Sequence, residues 1–346
     1  MLGRNQPRKT WRSSRWCVVP AILAALLIAS CEPQEGREWD MSLPWSVQEF
    51  HTQNALRFAQ TVFEETGGAL KINVHPGAVL GLKGPESMRA LEEGLVQMAE
   101  MPAFQQVGEE PLLGLESLPF LVEDQEELRA LYDILRPKIN RIFAEHGLKI
   151  IYIVPWPNQN IYTKIPVHGL ADLKGVKIRT YDKNTSELMD RLGLVPVQMP
   201  SQDVVPALAS GVVNAVMTST TTGAAQKYWE FLDYIYRTNH LWISNIMAVN
   251  LASWNRLEPE VREKIEAIAA RLEPQFWAVS RNDDAAKLAI LEAGGITTVV
   301  PDPALIKQMR QAARPMWQAF ANHVGPEAEE VLGAFLAWKQ ARGGGP

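Results

Sequence analysis

The alternation of strand-like and helix-like patterns along the chain is the feature that most restricts its fold. The segment ALKINVHPG (69–77) alternates apolar and polar side chains and then breaks at Pro76 and Gly77, as expected of a strand that ends in a turn. Residues 46–65 instead repeat apolar side chains at helical spacing. Strands that take turns with helices indicate an α/β fold built mostly on parallel sheets.

The same patterns divide the rest of the chain into further elements. Strands are predicted over 39–45, 148–156, 161–165, 175–179, 195–199, 212–217 and 243–250. Helices are predicted over 123–146, 184–192, 202–210, 222–231, 258–293, 303–323 and 326–340. The helix over 123–146 is expected to kink or break at Pro137. Two α/β lobes would form a cleft at the carboxyl ends of their strands, where small molecules bind in such folds.

The first 31 residues predict export. Five basic residues and no acidic residue precede the apolar run WCVVPAILAALLIAS, which is too short, and broken by Pro20, to favour a membrane span. This order is typical of a secretory signal peptide. The segment LIASC also resembles the lipobox of bacterial lipoproteins, in which Cys31 is acylated and becomes the first mature residue. We favour this over a plain signal peptide cut near Ser30, because a free exposed thiol is a poor outcome in an oxidising compartment.

Cysteine use and charge narrow the class of protein. Cys17 and Cys31 lie within or at the end of the predicted signal, so we expect the mature chain to fold without disulfides. Without the basic residues of the signal, 29 Lys and Arg face 39 Asp and Glu, a net charge of about −10. A body this acidic argues against nucleic acid or an anionic membrane surface as its partner.

No catalytic or metal-binding constellation stands out in the sequence. The six histidines are scattered, and none has the spacing of a metal site, so we expect neither a metal nor another cofactor. TSTTTG (218–223) is not the G-x-S-x-G turn of a serine nucleophile, and no phosphate-binding glycine motif occurs. Acidic pairs such as Asp283–Asp284 are expected to be solvated rather than to act as acid and base. An exported enzyme is therefore the weaker alternative.

Tryptophans at strand ends are better candidates for a ligand site. The chain has eleven tryptophans, and Trp45, Trp156 and Trp242 fall near the ends of predicted strands. Polar residues such as Gln159 and Asn160 follow closely. Core packing would explain any one of these tryptophans, but together they suit a pocket that holds a small organic ligand.

Six segments then follow one another in a characteristic order. They are FAQTVFEETGGALKINVHPGAVLG, ESMRALEEGLVQMA, LESLPFLVED, IPVHGLADLKGVKIRT, LGLVPVQMPSQDVVPALASGVVNAV and NLASWNRLEPEVREKI. With these segments the chain, from about residue 39 to 325, resembles the solute-binding proteins of tripartite ATP-independent periplasmic (TRAP) transporters, of the dicarboxylate-binding type.

The resemblance implies an α/β, two-lobed periplasmic-binding-protein fold with a hinged cleft and a long helix that bridges both lobes. We expect lobe I over 39–156 and about 244–290, and lobe II over 157–243 and about 291–346. The signal peptide over 1–31 and a polar linker over 32–38 would precede lobe I.

The resemblance also implies a ligand site. In that family the arginine that ends the Lys-Ile-Arg strand, here Arg179, pairs with the ligand carboxylate, and a guanidinium offers a planar fork that matches a carboxylate. Gln159 lies where many members have a second arginine, and Thr218 where members often have an asparagine. The lost positive charge favours a monocarboxylate over a dicarboxylate. The remaining candidate ligand-binding residues are Trp156, Asn160, Phe50, Gln105 and Trp242.

The function implied by the resemblance is capture of an organic acid by cleft closure, followed by delivery to the membrane permease subunits of a TRAP transporter. The protein would work in the periplasm, tethered to the membrane through a lipid on Cys31. Two alternatives stay open: a ligand-presenting sensor of the same fold, and a structural protein with a degenerate cleft.

Overall fold

The computed structural model describes residues 37–343, so the predicted signal peptide and Cys31 lie outside the described residues, as does most of the predicted linker. The strands are β1 (Arg37–Ser42), β2 (Leu70–His75), β3 (Met98–Pro102), β4 (Leu148–Pro155), β5 (Gln159–Thr163), β6 (Lys177–Thr180), β7 (Val195–Gln198), β8 (Ala215–Thr218), β9 (Tyr234–Leu241), β10 (Ser244–Asn250) and β11 (Thr297–Val299). The helices are α1 (Phe50–Glu65), α2 (Ser87–Glu92), α3 (Gln125–Glu145), α4 (Lys183–Arg191), α5 (Val204–Ala209), α6 (Thr220–Ala225), α7 (Leu251–Asn255), α8 (Pro259–Ala293), α9 (Pro303–Val324) and α10 (Pro326–Ala341).

These strands form two mixed sheets. The first has the order β2-β1-β3-β10-β4, with β10 antiparallel to both of its neighbours. The second has the order β11-β9-β5-β8-β6-β7, with β5 antiparallel to β8 and β9. We call the part built on the first sheet lobe I and the part built on the second lobe II. The predicted α/β, two-lobed fold is confirmed.

The chain crosses between the sheets more than once. It leaves lobe I after β4, returns after β9 to place β10 between β3 and β4, and re-enters lobe II at β11. The four central residues of β10, IMAV, are apolar because the strand lies inside the sheet and is buried along its whole length.

The long helix α8 contacts both lobes. On lobe I, the indole Nε1 of Trp277 donates a 2.7 Å hydrogen bond to the carbonyl oxygen of Ile153. On lobe II, the guanidinium of Arg237 pairs with Asp284 at 2.6 Å. The helix continues through Pro274, and α3 likewise continues through Pro137 rather than breaking there. No helix within residues 37–343 combines the length and the apolar character needed to cross a bilayer.

The expectation that Asp283 and Asp284 are solvated is wrong. Thr221 Oγ1 donates to Asp283 Oδ2 at 2.5 Å, and Thr220 Oγ1 donates to Asp284 Oδ1 at 2.7 Å. Their partners lie more than sixty residues away in sequence, on α6, so the local pattern could not reveal them. The two carboxylates fasten α8 to the first turn of α6.

Strand β9 is the main element that the sequence patterns missed. Its segment YIYRTNHL carries Arg237 and His240 at positions that break the apolar alternation. The strand accommodates Arg237 because Asp284 neutralises it, and His240 because Thr238 Oγ1 lies 2.7 Å from its Nδ1. The helix predicted over 222–231 is shorter in the structure, where α6 spans Thr220–Ala225.

The C-terminal helix α10 packs on α3. Lys339 on α10 is buried, and its Nζ donates to the carbonyl oxygen of Leu121 at 3.1 Å and to Glu127 Oε2 at 2.9 Å. The expected lobe boundaries separate the strands of the first sheet from those of the second. Helix α10 was expected in lobe II, but it contacts α3 of lobe I. The boundaries themselves stay a prediction.

His146 fastens the loop that follows β3. Its Nε2 lies 2.9 Å from Glu110 Oε1, and its Nδ1 is paired with Glu92 at the end of α2. Partial burial lowers the pKa of His146, but the hydrogen bonds from its ring to Glu110 and Glu92 raise it by more, so the net shift is upward. Glu110 lies between the short turns Ala103–Gln106 and Pro111–Gly114, and the first of these reaches the cavity described below.

We predict a pH-dependent contribution of His146 to stability. Because the pKa is raised on folding, the contribution is complete below the ordinary pKa of histidine and is lost as the pH rises through the raised value. The difference in melting temperature between the native chain and the variant His146→Asn should therefore be larger at pH 5.5 than at pH 8.5. In a background with Glu92→Gln and Glu110→Gln the same substitution should show no such change with pH. A difference that stays constant over this range in the native background would contradict the prediction.

Candidate functional site

A cavity lies where loops of the two lobes meet. Lobe I and the crossings contribute Trp45, Lys83, Phe104, Gln105, Trp156 and Ile243. Lobe II contributes Gln159, Arg179, Tyr181, Ser201, Thr218, Ser219 and Thr222. The space between these side chains that no atom fills is ≈ 390 Å³, a figure that includes open solvent at the mouth.

Arg179 is the charged group at the centre of this cavity. It is the third of the four residues of β6 and is only 3% exposed. Its Nε donates to the carbonyl oxygen of Met199 at 3.1 Å and its Nη1 to that of Met217 at 3.3 Å. Within residues 37–343 its Nη2 has no hydrogen-bond partner and its guanidinium has no salt bridge. Burial lowers the pKa of Arg179, but a guanidinium keeps its charge. The buried Asp182 acts on this charge from beyond salt-bridge distance, so no described carboxylate contacts the guanidinium.

The ring of Tyr181 packs against the Arg179 side chain. The guanidinium carbon lies 5.2 Å from the centre of the Tyr181 ring, and Phe104 of lobe I packs on the same ring at 4.8 Å. Burial raises the pKa of Tyr181 well above its usual value, so the hydroxyl is neutral. Its Oη is buried and has no partner among the described residues. The cavity wall thus places a neutral phenol ring beside the Arg179 guanidinium.

Two tryptophans form the opposite wall. Trp45 and Trp156 meet edge to face with ring centroids 4.7 Å apart. Trp156 is fixed because its Nε1 donates to Asn245 Oδ1 at 2.8 Å, and Asn245 donates in turn to the buried Glu100 at 2.7 Å. The predicted residue Phe50 packs behind Trp156, with the ring centroids 5.8 Å apart, and does not line the cavity.

Three further predicted residues do line the cavity. Gln159 is fixed by a 2.8 Å hydrogen bond from its Nε2 to the carbonyl oxygen of Pro157. Thr218 lies at the end of β8. Gln105 lies in the turn after β3, and its Oε1 is buried without a partner among residues 37–343. Together with Trp156 and Arg179, they are the predicted residues that the fold brings together.

Asn160 and Trp242 lie away from the cavity. Successive residues of a strand point to opposite faces, so Asn160 points away because Gln159 points in. Its Nδ2 donates to Asn158 Oδ1 at 2.8 Å. Trp242 follows β9, and its Nε1 donates to Asn239 Oδ1 at 2.9 Å, where it helps to hold the crossing between the sheets.

Sequence reasoning missed several of the lining residues. Tyr181, Ser219 and Thr222 follow closely on Arg179 and Thr218, so strand-end position could have indicated them. Lys83 gave no such signal, because it comes from a loop far away in sequence. Its presence means that Arg179 is not the only cation in the cavity wall.

The lobes touch directly at the rim of the cavity. Lys83 Nζ of lobe I lies 2.8 Å from Asp203 Oδ1 of lobe II. Gln202 Nε2 of lobe II donates to the carbonyl oxygen of Pro44 in lobe I at 2.6 Å. These contacts join the two walls directly.

Glu49 makes a third contact between the lobes. It precedes α1, is 3% exposed, and accepts a 3.1 Å hydrogen bond from the Oγ1 of Thr222 on α6. Its other oxygen accepts from the Ser46 backbone N–H at 2.8 Å. No cation lies within salt-bridge distance of it in the described part of the chain, and burial raises its pKa.

The chemistry of this cavity suits binding. It offers one uncompensated guanidinium, neutral hydrogen-bonding groups and two indole rings. In the described ranges, no group of three or more His, Cys, Asp or Glu side chains converges as a metal site would require.

Comparison with known proteins identifies the family of this chain. Residues 41–323 match the family model described as bacterial extracellular solute-binding protein, family 7. The chain belongs to this family. It is a solute-binding protein of the TRAP type, and the family consists of receptors rather than enzymes.

Relatives and solved structures agree with this assignment. The solute-binding protein is 24% identical over 289 residues to the C4-dicarboxylate-binding periplasmic protein of Rhodobacter capsulatus, covering 82% of this chain and 83% of the relative. It is similar to a Bordetella pertussis extracytoplasmic solute receptor that binds pyroglutamic acid, with a TM-score of 0.84, 31% identity, and coverage of 87% and 99%. A marine metagenome TRAP solute-binding protein specific for pyroglutamate gives a TM-score of 0.83, 30% identity, and coverage of 88% and 99%.

The position of α6 beside the cavity leads to a prediction about Gly223. A Cβ atom at this position would lie 2.6 Å from the Oη of Tyr162, whose ring is fully buried and whose hydroxyl donates to the Ser219 carbonyl oxygen. Gly223→Ala should therefore displace α6, with its Ser219 and Thr222, and lower the free energy of unfolding by about 1–3 kcal/mol. Urea denaturation measures this directly.

Gly333→Ala is the matched control. Gly333 lies in α10, and a Cβ there meets nothing within 4 Å. This substitution should be neutral or stabilise the protein by up to about 1 kcal/mol, because alanine favours a helix. Equal unfolding free energies for the two variants would show that Tyr162 does not constrain α6.

Proposed function

We propose that this protein binds a small organic monocarboxylate between its lobes, closes around it, and delivers it to the membrane permease subunits of a TRAP transporter. The observation that carries the proposal is the buried Arg179 guanidinium, which no carboxylate of the described residues contacts. A buried charge without a partner is costly, and a carboxylate of the ligand would supply the partner. Membership of the solute-binding family supports the transport role.

Pyroglutamate is the first ligand to test. Two solved receptors at about 30% identity bind it. It is a compact monocarboxylate with a lactam ring, which presents one N–H donor and one carbonyl acceptor. The unpartnered Tyr181 hydroxyl and Gln105 amide could hydrogen-bond the lactam, while Trp45 and Trp156 would cover the ring.

The membrane tether at Cys31 also belongs to the proposal. It is supported by the basic start, the apolar run and the LIASC segment of the sequence. Intact mass measurement of the exported protein would test it: an acylated N-terminal cysteine is expected, and a mature chain with an unmodified cysteine would overturn the tether without affecting the ligand site.

Arg179 is expected to dominate ligand affinity. Calorimetric titration with pyroglutamate should show that Arg179→Ala weakens binding by about 2–5 kcal/mol, because the ligand carboxylate would be buried without a cation. Arg179→Lys should recover little, since an ammonium lacks the two-pronged geometry. Arg191→Ala is the control, because that arginine lies at the surface of α4, paired with Glu187. Near-native affinity in Arg179→Ala would refute the role of this residue.

Glu49 is expected to link binding to pH. If closure brings Thr222 onto Glu49 and buries it, the carboxyl has a higher pKa in the closed state than in the open state, where water reaches it. Binding then takes up protons, so affinity should fall as the pH rises from the open-state pKa towards the closed-state pKa. His51 and Tyr228 are the other titratable groups whose charges act on Glu49 or respond to it.

Titrations between pH 5 and pH 8 in buffers of different ionisation enthalpy measure this proton uptake. Glu49→Gln keeps the hydrogen bond from Thr222 but cannot ionise, so its binding should show a flatter pH profile and less dependence on the buffer. Identical profiles for the native chain and Glu49→Gln would exclude Glu49 as the linked group.

A further inference from the structure

Of the described residues that line the cavity, Arg179 and Lys83 carry a charge, and they are not equivalent. Arg179 is buried and no described carboxylate contacts it, whereas the Nζ of Lys83 lies 2.8 Å from Asp203 Oδ1. Asp203 itself does not line the cavity. The wall therefore presents two cations to a ligand, but an acidic residue outside the wall already occupies one of them.

We propose that Asp203 is a specificity-determining residue: by holding the Lys83 ammonium it makes the cavity select small monocarboxylates over dicarboxylates. The inference rests on the proposed function, because it concerns the charge of the acid that the same cavity binds. A dicarboxylate would place its second carboxylate within reach of Lys83 only by competing with Asp203. A monocarboxylate needs Arg179 alone.

The position of the pair supports this role. Lys83 lies in the loop after β2 of lobe I and Asp203 directly before α5 of lobe II, so the pair spans the mouth of the cavity. The other nearby acid, Glu86, binds the backbone N–H of Lys83 at 3.1 Å and leaves the ammonium to Asp203. Asp203 is therefore the carboxylate that pairs with the positive charge of Lys83.

The strength of the pair sets the size of the expected effect. The two side chains are 44% and 46% exposed, so water and salt screen their attraction. Exposed pairs of this kind change an equilibrium by about two- to fivefold. Asp203 should therefore adjust the preference between ligands, while Arg179 sets whether an acid binds at all.

The test compares pyroglutamate with glutarate, a dianion of similar length, by calorimetric titration at low salt. Asp203→Asn should raise the affinity ratio of glutarate to pyroglutamate by about two- to fivefold, because it frees Lys83 for the second carboxylate. The ratio is the informative quantity, since loss of a contact between the lobes would weaken both ligands alike. The gain should shrink in 0.5 M salt.

Two further variants separate this effect from a general change of charge. Adding Lys83→Met to Asp203→Asn should return the ratio to the native value, because the freed cation is then missing. Asp190→Asn changes the net charge equally on an exposed residue of α4 and should leave the ratio unchanged.

The outcomes distinguish this inference from the proposed function. If Asp203→Asn leaves the ratio unchanged, the role of Asp203 is refuted although the protein still binds an acid. If the native protein prefers glutarate, the role of Asp203 and the monocarboxylate part of the proposed function are both refuted. If the native protein binds neither of these acids nor the shorter pair butyrate and succinate, both the inference and the proposed function fail. A raised ratio that Lys83→Met reverses would establish the inference.

Discussion

The burial of the Arg179 guanidinium without a carboxylate partner is the constraint on which the rest of the site depends. Such a group is stable only where backbone carbonyls satisfy part of it, and the position of β6 between β7 and β8 provides them. Met199 follows β7 and Met217 lies near the end of β8, so each neighbour gives one carbonyl oxygen to the side chain. The sheet order thereby fixes both the location of the charge and the direction of its unused donors.

The start of α6 connects this charge to the remainder of the molecule. Ser219 and Thr222 line the cavity, while Thr220 and Thr221 between them donate to the paired aspartates on α8. Of these four consecutive residues, the outer two line the cavity and the inner two bind the helix that contacts both lobes. A ligand that presses on this turn acts on a segment whose other side is fixed to α8, so the wall and the bridging helix are expected to move as one body.

Sequence patterns predicted most helices and strands, because apolar periodicity reflects burial. Strand β9 was not predicted, because Arg237 interrupts its apolar periodicity. Arg179 could be assigned only through the family resemblance, since nothing local shows that a strand-end arginine lacks a partner. Asn160 was predicted to bind the ligand, but it points away from the cavity, because neighbouring residues of a strand face opposite sides and Gln159 faces the cavity. The pairing of Lys83 with Asp203 could not have been found, because it joins loops 120 residues apart that the fold alone brings together.

The proposed preference for a monocarboxylate therefore has a different physical basis from the one that the sequence indicated. Gln159 in place of a second arginine indicated a missing cation, yet Lys83 supplies one from the opposite lobe. In our proposal, what limits the charge of the ligand is the pairing of Asp203 with Lys83, and this pairing requires the two lobes to be together. If the cleft opens as proposed, Lys83 is released while the cleft is open and can attract any anion, whether it carries one charge or two. Discrimination between them would then arise only on closure, when Asp203 returns to Lys83 and a second carboxylate would have to displace it.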